Sequence, residues 1–309
     1  MSSHGIAQYR IGGVKIEVAV FTNLSRDHLD FHGSMEQYAA TKAKLFALPS
    51  VHTAVINVDD SCGQTLAAEL SATKRVLRVS LRSTDADFYL SNIVVGDIGF
   101  TAQLHSPEGV FKFSTPLLGE FNLYNLLLVA AATYAAGYDL PSIVAKLGVL
   151  EAPQGRMQLV AKRRPQVIVD YAHTPDALGK ACDAVRSHCT GRLILVFGCG
   201  GDRDIGKRPE MGAIAAAKAD LIILTNDNPR SESPAEIAEQ ILVGIRMGAV
   251  VWVELDRSKA IFNAIKEAKD EDCVLIAGKG HELFQDVAGE HLPFADVMEA
   301  RAALNEVAA

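Results

Sequence analysis

Residues 21–33 read FTNLSRDHLDFHG and crowd Asp27, His28, Asp30 and His32 into six positions. Imidazoles and carboxylates at that density are side chains that can hold a metal ion. His28 and His32 stand four apart, the spacing of the zinc-protease helix H-E-x-x-H, but Leu29 sits where that chemistry needs its general base. Metal-assisted peptide hydrolysis is excluded. On these residues alone, a polar surface turn is the plainer reading.

The stretch GDRDIGKR at 201–208 follows the phosphate loop G-x-x-x-x-G-K-[ST] except in its last place, where Arg208 replaces the magnesium-holding hydroxyl. Asp202 and Asp204 would also repel phosphate from the cradle. GCGG lacks the third glycine of a dinucleotide fingerprint because Arg203 stands there, which leaves a nicotinamide oxidoreductase a weak alternative. What remains suits carboxylates. Arg203 and Arg230 stand in loops that the strand pattern sets side by side, and a guanidinium fork grips a carboxylate through two parallel charge-assisted bonds. Glu282 suits an ammonium group, so an amino acid bearing carboxylates is the expected ligand. For either arginine alone, a surface ion pair is the commoner role.

The second half supplies the elements that position these groups. QVIVD, RLILVF, DLIILT, VVWVEL and CVLIA are short apolar runs, and helix-patterned segments follow the first four. This alternation predicts parallel strands with crossover helices. Thr174-Pro175 and Ser233-Pro234 read as an N-cap followed by proline at the first helical position, with Glu236 completing a capping box behind Ser233. Loops after parallel strands open on the carboxyl edge of the sheet. YAHTPD, GCGGDRD, TNDNPR and GKGHE are therefore expected to face one crevice. In the less regular first half, strands are expected within residues 14–22 and 51–60, with a helix from Met35 to Ala47 between them. Antiparallel strands are expected over 75–115, then a long apolar helix through LLGEFNLYNLLLVAAATYAAG. Pro153 and Gly155 break the helical pattern near EAPQGRMQLV, where a domain boundary is placed.

A chain of 309 residues that is 49% hydrophobic can bury the cores of two domains. Its formal charge of -7 lacks the basic face that nucleic acid requires. No apolar run is long enough to span a bilayer and no export signal is visible, so no membrane association and a cytoplasmic location are expected. The five cysteines form no C-x-x-C pair, so neither a disulfide framework nor a structural zinc site is expected.

The segments SSHGIAQYR, FTNLSRDHLDFHGSMEQYAATKAKLF, LLGEFNLYN, QGRMQ, VDYAHTPDAL, GCGGDRDIGKRPEMG, TNDNPR and GKGHE occur in this order. Over nearly the whole chain they resemble the Mur ligases, and DNPR resembles the signature of the branch that adds meso-diaminopimelate. The resemblance implies an α/β fold in which residues 1–158 form the C-terminal part of the central ATP-binding domain. Residues 159–309 would form a doubly wound, Rossmann-like C-terminal domain. It implies an ATP-dependent ligase of peptidoglycan precursor synthesis, with ATP as co-substrate and Mg2+ as cofactor, working as a monomer on small molecules. ATP would phosphorylate the D-Glu carboxylate of UDP-MurNAc-L-Ala-D-Glu, and an amine of diaminopimelate would attack the acyl phosphate. By this similarity His28 is a magnesium ligand, an unusual nitrogen donor for a hard ion. Lys42 is the lysine that carbon dioxide carbamylates, which supports the metal site. Ser2, Gln8 and Arg10 would contact the UDP-MurNAc-dipeptide, and Asn122, Arg156, Asp170 and His173 would lie on the ATP side. Arg203, Asp227, Asn228, Arg230, Gly278 and Glu282 would form the diaminopimelate pocket.

The family also carries a phosphate loop ending in G-K-[ST], an N-terminal uridine-holding domain and a magnesium-binding glutamate, all upstream of Met1. The resulting expectations are a central sheet with an unpaired edge or gap, weak ATP affinity and no ligase activity for this chain alone. Two alternatives stay open. One is a non-catalytic homologue that binds diaminopimelate or precursor, and the other is a folylpolyglutamate synthetase relative, which DNPR and GKGHE disfavour.

Overall fold

The computed structural model describes residues 1–25, 29–161 and 165–307. It divides into two compact units. Unit 1 comprises 1–94, 100–116 and 120–150, and unit 2 comprises 95–99, 117–119 and 151–309.

Unit 1 runs α1 (Ser3–Ala7), β1 (Val18–Phe21), α2 (Leu29–His32), α3 (Met35–Phe46), β2 (Thr53–Asn57), α4 (Ser61–Leu70), β3 (Arg75–Ser80), β4 (Phe88–Val95), β5 (Phe100–Ser106), β6 (Gly109–Thr115), α5 (Glu120–Ala135) and α6 (Leu140–Leu147). Among the described residues its strands form one sheet in chain order, with β1 and β6 at the ends. Ser34 caps α3 through its hydroxyl on the Gln37 N–H, so the helix read from the sequence starts where expected. The antiparallel expectation for 75–115 needs correction. β3 lies parallel to β2, and β4 meets β3 in parallel at Val79–Phe88 and Ser80–Tyr89; antiparallel pairing is found between β5 and β6. The cause is α4, which makes β2 and β3 a crossover unit. Asp60 starts that helix by accepting the Cys62 and Gly63 N–H groups at 2.9 and 3.1 Å. Ala19, Phe21, Ile56 and Leu66 belong to the core of this layer.

Unit 2 runs β7 (Gln158–Leu159), β8 (Gln166–Asp170), α7 (Pro175–Arg186), β9 (Leu193–Phe197), α8 (Lys207–Lys218), β10 (Leu221–Leu224), α9 (Pro234–Leu242), β11 (Val251–Val253), α10 (Arg257–Glu267), β12 (Cys273–Ala277), β13 (Phe284–Val287), β14 (Glu290–Pro293) and α11 (Asp296–Val307). The strand order is β11-β10-β9-β12-β8-β7. All pairings from β11 to β8 are parallel, as the alternation of apolar runs and helix patterns predicts. Every residue of β9, β10 and β12 is buried, which is why those strands read as continuous apolar runs. One face packs Leu195, Phe197 and Leu275 against Leu178, Met211 and Ile241 of α7 to α9. The other packs Ile194, Val196 and Ile276 against Ile261 and Ile265 of α10 and Ala300 of α11. None of the five cysteines, all of them described residues, is in a disulfide.

Thr174 caps α7 through its hydroxyl on the Ala177 N–H at 3.3 Å, with Pro175 at the helix start. The matching arrangement at α9 is incomplete. Ser233 stands at the N-cap and Pro234 follows, but the hydroxyl makes no capping bond. The chain there is fixed one residue earlier, where Glu232 is anchored on Arg208.

Candidate functional site

The loops after β8, β9, β10 and β12 line one cavity of about 380 Å³ at the carboxyl edge of the unit 2 sheet. Backbone proximity holds the middle two loops together. The Gly201 N–H donates to the Asn228 carbonyl at 2.9 Å, and a Cβ at Gly201 would collide with the Pro229 carbonyl. Lys207, at the start of α8, ties in the first loop by donating to the His173 carbonyl at 2.9 Å.

Arg203 and Arg230 both line this cavity. Gly200 lies between them, since a Cβ there would come within 3.1 Å of Arg230 Nη1 and 3.9 Å of Arg203 Cγ. Arg203 is exposed and donates Nη1 to the Asp202 carbonyl at 3.3 Å. Arg230 is held more firmly. Its φ of 51° lies in the left-handed region, which costs a non-glycine residue about 1 kcal/mol or more. The strain is balanced by two backbone bonds, Arg230 N–H to the Asp286 carbonyl at 3.0 Å and Ala288 N–H to the Arg230 carbonyl at 2.8 Å. Nη1 donates to the Gly201 carbonyl at 2.6 Å, and Nε faces the Asp286 carboxylate at 3.6 Å. That leaves the outer edge of the guanidinium turned to the cavity.

The remaining lining groups form a polar network. Asn228 donates Nδ2 to Glu282 Oε2 at 2.8 Å, and its Oδ1 accepts from Lys279 Nζ at 2.8 Å and from the Asp286 N–H at 3.0 Å. Burial opposes charge on Glu282, but hydrogen bonds from Lys279 and Asn228 outweigh it and hold the carboxyl below its ordinary range. Asp227 is buried at the cavity wall, and burial raises its pKa against the pull of Arg257 and Lys279. Gly278 has φ +115°, and a side chain there would strike the Asp227 carboxylate. The six residues read as a diaminopimelate pocket thus all line one cavity, and His173, read as ATP-side, joins them.

Arg156 and Asp170 do not line it. The Arg156 guanidinium stacks 4.5 Å from the centre of the Tyr171 ring, and Tyr171 is itself a lining residue. Asp170 accepts the Met157 and Ala172 N–H groups, each at 2.8 Å, so both carboxylate oxygens brace backbone; burial raises its pKa. In unit 1, Ser2 caps α1 through its hydroxyl on the Gly5 N–H at 3.1 Å, while Gln8 and Arg10 are exposed beyond that helix. Ser3 bonds His32 Nε2 at 2.8 Å, His32 stacks on Tyr38, and Lys42 Nζ lies 5.2 Å from the centre of the same Tyr38 ring. Asn122 accepts from Asn125 at 3.1 Å in the first turns of α5. His28 and Asp27 lie outside the described residues. Among those described, no group of three or more His, Cys, Asp or Glu could hold a metal ion.

The description "Mur ligase middle domain" matches residues 1–133, and "Mur ligase, glutamate ligase domain" matches residues 155–280. The chain belongs to the Mur ligase family. It is 48% identical over 310 residues to the UDP-N-acetylmuramoyl-L-alanyl-D-glutamate–2,6-diaminopimelate ligase of Coxiella burnetii, covering 98% of this chain and 63% of that protein. The counterpart in Pseudomonas aeruginosa is 48% identical over 305 residues, with 98% and 62% covered. A solved structure of a ligase of the same description has a TM-score of 0.76 at 41% identity, over 100% of this chain and 64% of its own. A folylpolyglutamate synthase from Mycobacterium tuberculosis, at 22% identity and a TM-score of 0.67, shares the fold. This Mur ligase chain spans 63% of the length of the Coxiella relative it matches. Among the described residues no helix is long and apolar enough to cross a membrane.

Three residues that shape the Mur ligase cavity carried no role in the sequence reading. Arg208, wholly buried, donates to Glu232, Gln240 and the Gly200 carbonyl, which fixes the second and third loops to each other. Asp286 orients Arg230, and Lys279 anchors Asn228 and Glu282. For Lys279 the signal was its place inside GKGHE; for Arg208 and Asp286 the partners are remote in sequence.

Proposed function

We propose that this chain acts in ATP-dependent ligation of meso-diaminopimelate to UDP-MurNAc-L-Ala-D-Glu, in the cytoplasm, as a monomer on small-molecule substrates. The supporting observation is the convergence of Arg203, Arg230 and Glu282 on one cavity. Two guanidinium groups opposite a carboxylate suit an amino acid with a carboxylate at its far end. The names of the 48% identical relatives point the same way.

In this reading a carboxylate oxygen of D-Glu attacks the γ-phosphorus of ATP, which releases ADP and leaves an acyl phosphate. An uncharged amine of diaminopimelate then attacks the acyl carbon. The C–O bond to phosphate breaks, phosphate departs and the nitrogen gives up a proton. The cavity's contribution is placement, with Arg230 and Arg203 holding carboxylates, Glu282 and Asn228 the amino end, and Asp227 and Gly278 the wall. His173, Arg156, Asp170 and Asn122 are assigned to the ATP side, and Ser2, Gln8 and Arg10 to the UDP-MurNAc-dipeptide. Lys42, once carbamylated, would join His28 in holding magnesium, which offsets crowded phosphate charge. The described residues do not by themselves compose that metal site.

The test is calorimetric titration of the wild type and Arg230→Ala with meso-diaminopimelate and separately with ATP. The variant is expected to lose diaminopimelate affinity on the order of 30-fold or more while ATP affinity changes little. Equal losses for both ligands would refute the assignment.

A further inference from the structure

The side chain of Lys279 is wholly withdrawn from solvent. A lysine in such a place must be paired, because an isolated buried ammonium is too costly to retain its charge. The flanking glycines, Gly278 at φ +115° and Gly280 at φ +53°, allow the turn that carries its side chain inward. Nζ donates to Asn228 Oδ1 at 2.8 Å and to Glu282 Oε2 at 2.9 Å, and Asn228 Nδ2 closes the triangle on the same Oε2 at 2.8 Å. Oε2 thus takes two bonds, and the second carboxylate oxygen is left for whatever the cavity binds.

We propose that Lys279 is a positioning residue for amino-acid binding, its enclosed ammonium locking Asn228 and Glu282 in the orientation that offers the other Glu282 oxygen to a ligand ammonium group. The identity of that ligand rests on the functional reading above. Other charges bear on the same carboxylate. Arg230 faces it from the third loop, with Asp286 of β13 behind that arginine, while Asp227 lies beside Lys279, backed by Arg257 of α10 and Asp296 of α11. With Lys279 present the cations prevail and Glu282 stays ionised. Without it, burial and the neighbouring Asp227 favour the protonated form.

The sign follows. In the wild type the folded Glu282 titrates low, so amino-acid binding stays flat as pH falls from 8 to about 5. In Lys279→Met, a neutral side chain of similar length, Glu282 takes up a proton at a higher pH than in the wild type, and binding begins to weaken at correspondingly higher pH. The direct readout is the Glu282 carboxyl 13C shift against pH, assigned with Glu282→Gln. The second readout is calorimetric titration with meso-diaminopimelate at pH 7.5 and 6. The wild-type carboxyl is expected to titrate below the ordinary glutamate range, and the Met variant clearly above the wild type. Diaminopimelate affinity should drop on the order of 30-fold in the variant, with a steeper loss at pH 6. Lys279→Arg should partly restore the low titration. A wild-type Glu282 that titrates at or above the ordinary value, or a Met variant with the wild-type titration and pH profile, overturns the proposal. Should Lys279→Met not fold, the wild-type titration still decides. A low wild-type titration without diaminopimelate affinity supports the Lys279–Glu282 coupling and defeats the functional reading instead.

Discussion

Replacing Glu232 by Gln tests whether the loops that carry Arg203 and Arg230 are held by one ion pair, a buried arginine on a half-buried glutamate. Glu232 receives Arg208 Nη1 at 2.7 Å and Nη2 at 2.9 Å. The Arg208 side chain has no solvent exposure, and that of Glu232 has 24%. The bond from Arg208, with a second from the Asp202 N–H, holds the Glu232 carboxyl at about 2 against an ordinary 4.5. At about 1.4 kcal/mol per pKa unit this corresponds to about 3 kcal/mol at neutral pH, reduced to about 2 kcal/mol because water reaches part of the carboxylate. A carboxyl depressed in the folded state stabilises above its unfolded pKa, and the effect fades as pH falls from about 4.5 towards 2. Urea unfolding can be followed through Trp252, the one tryptophan of the chain, which stands in β11 of unit 2. Glu232→Gln should lower unit 2 stability by about 2 kcal/mol at pH 7, and the gap to the wild type should shrink below pH 4.5. A gap under about 0.5 kcal/mol at pH 7, or one that does not change with pH, would refute the reasoning.

Gly201→Ala places a methyl against the Pro229 carbonyl. It should cost about 1–3 kcal/mol in thermal or urea unfolding and abolish diaminopimelate binding by forcing the two middle loops apart. Asp296→Asn leaves the fully buried Arg257 guanidinium without its bidentate partner. Its urea midpoint should report a loss of about 3–5 kcal/mol, because that arginine also holds the Asn226 and Ala277 carbonyls beneath the cavity.

The parallel sheet of unit 2 and its cavity loops were legible because β8, β9, β10 and β12 are apolar, almost wholly buried runs and two of the helices begin with local punctuation, Thr174-Pro175 and Ser233-Pro234. The convergence of Arg203 and Arg230 followed from topology alone, since loops after parallel strands share an edge. What spacing could not reveal was pairing across long sequence distances. Arg208 meets Glu232 and Asp286 meets Arg230 in three dimensions, and neither partner is marked in its own segment. The direction of β3 was misread because α4, whose start SCGQ carries no proline or capping box, was not recognised as a crossover helix between β2 and β3. Ser233 shows the converse limit, a correct cap position whose hydroxyl is not used. For the opening Asp-His stretch, the residues alone favoured a surface turn, and the resemblance to Mur ligases supplied the metal-ligand assignment.

The unit 2 cavity is expected to select an amino acid with a distal carboxylate. Its most direct test is competitive calorimetry of the wild-type chain with meso-diaminopimelate and L-lysine, which differ in that one group. Diaminopimelate is expected to bind at least about 30-fold more tightly, because lysine would leave a guanidinium unpaired. Equal affinities for the two amino acids would contradict the account.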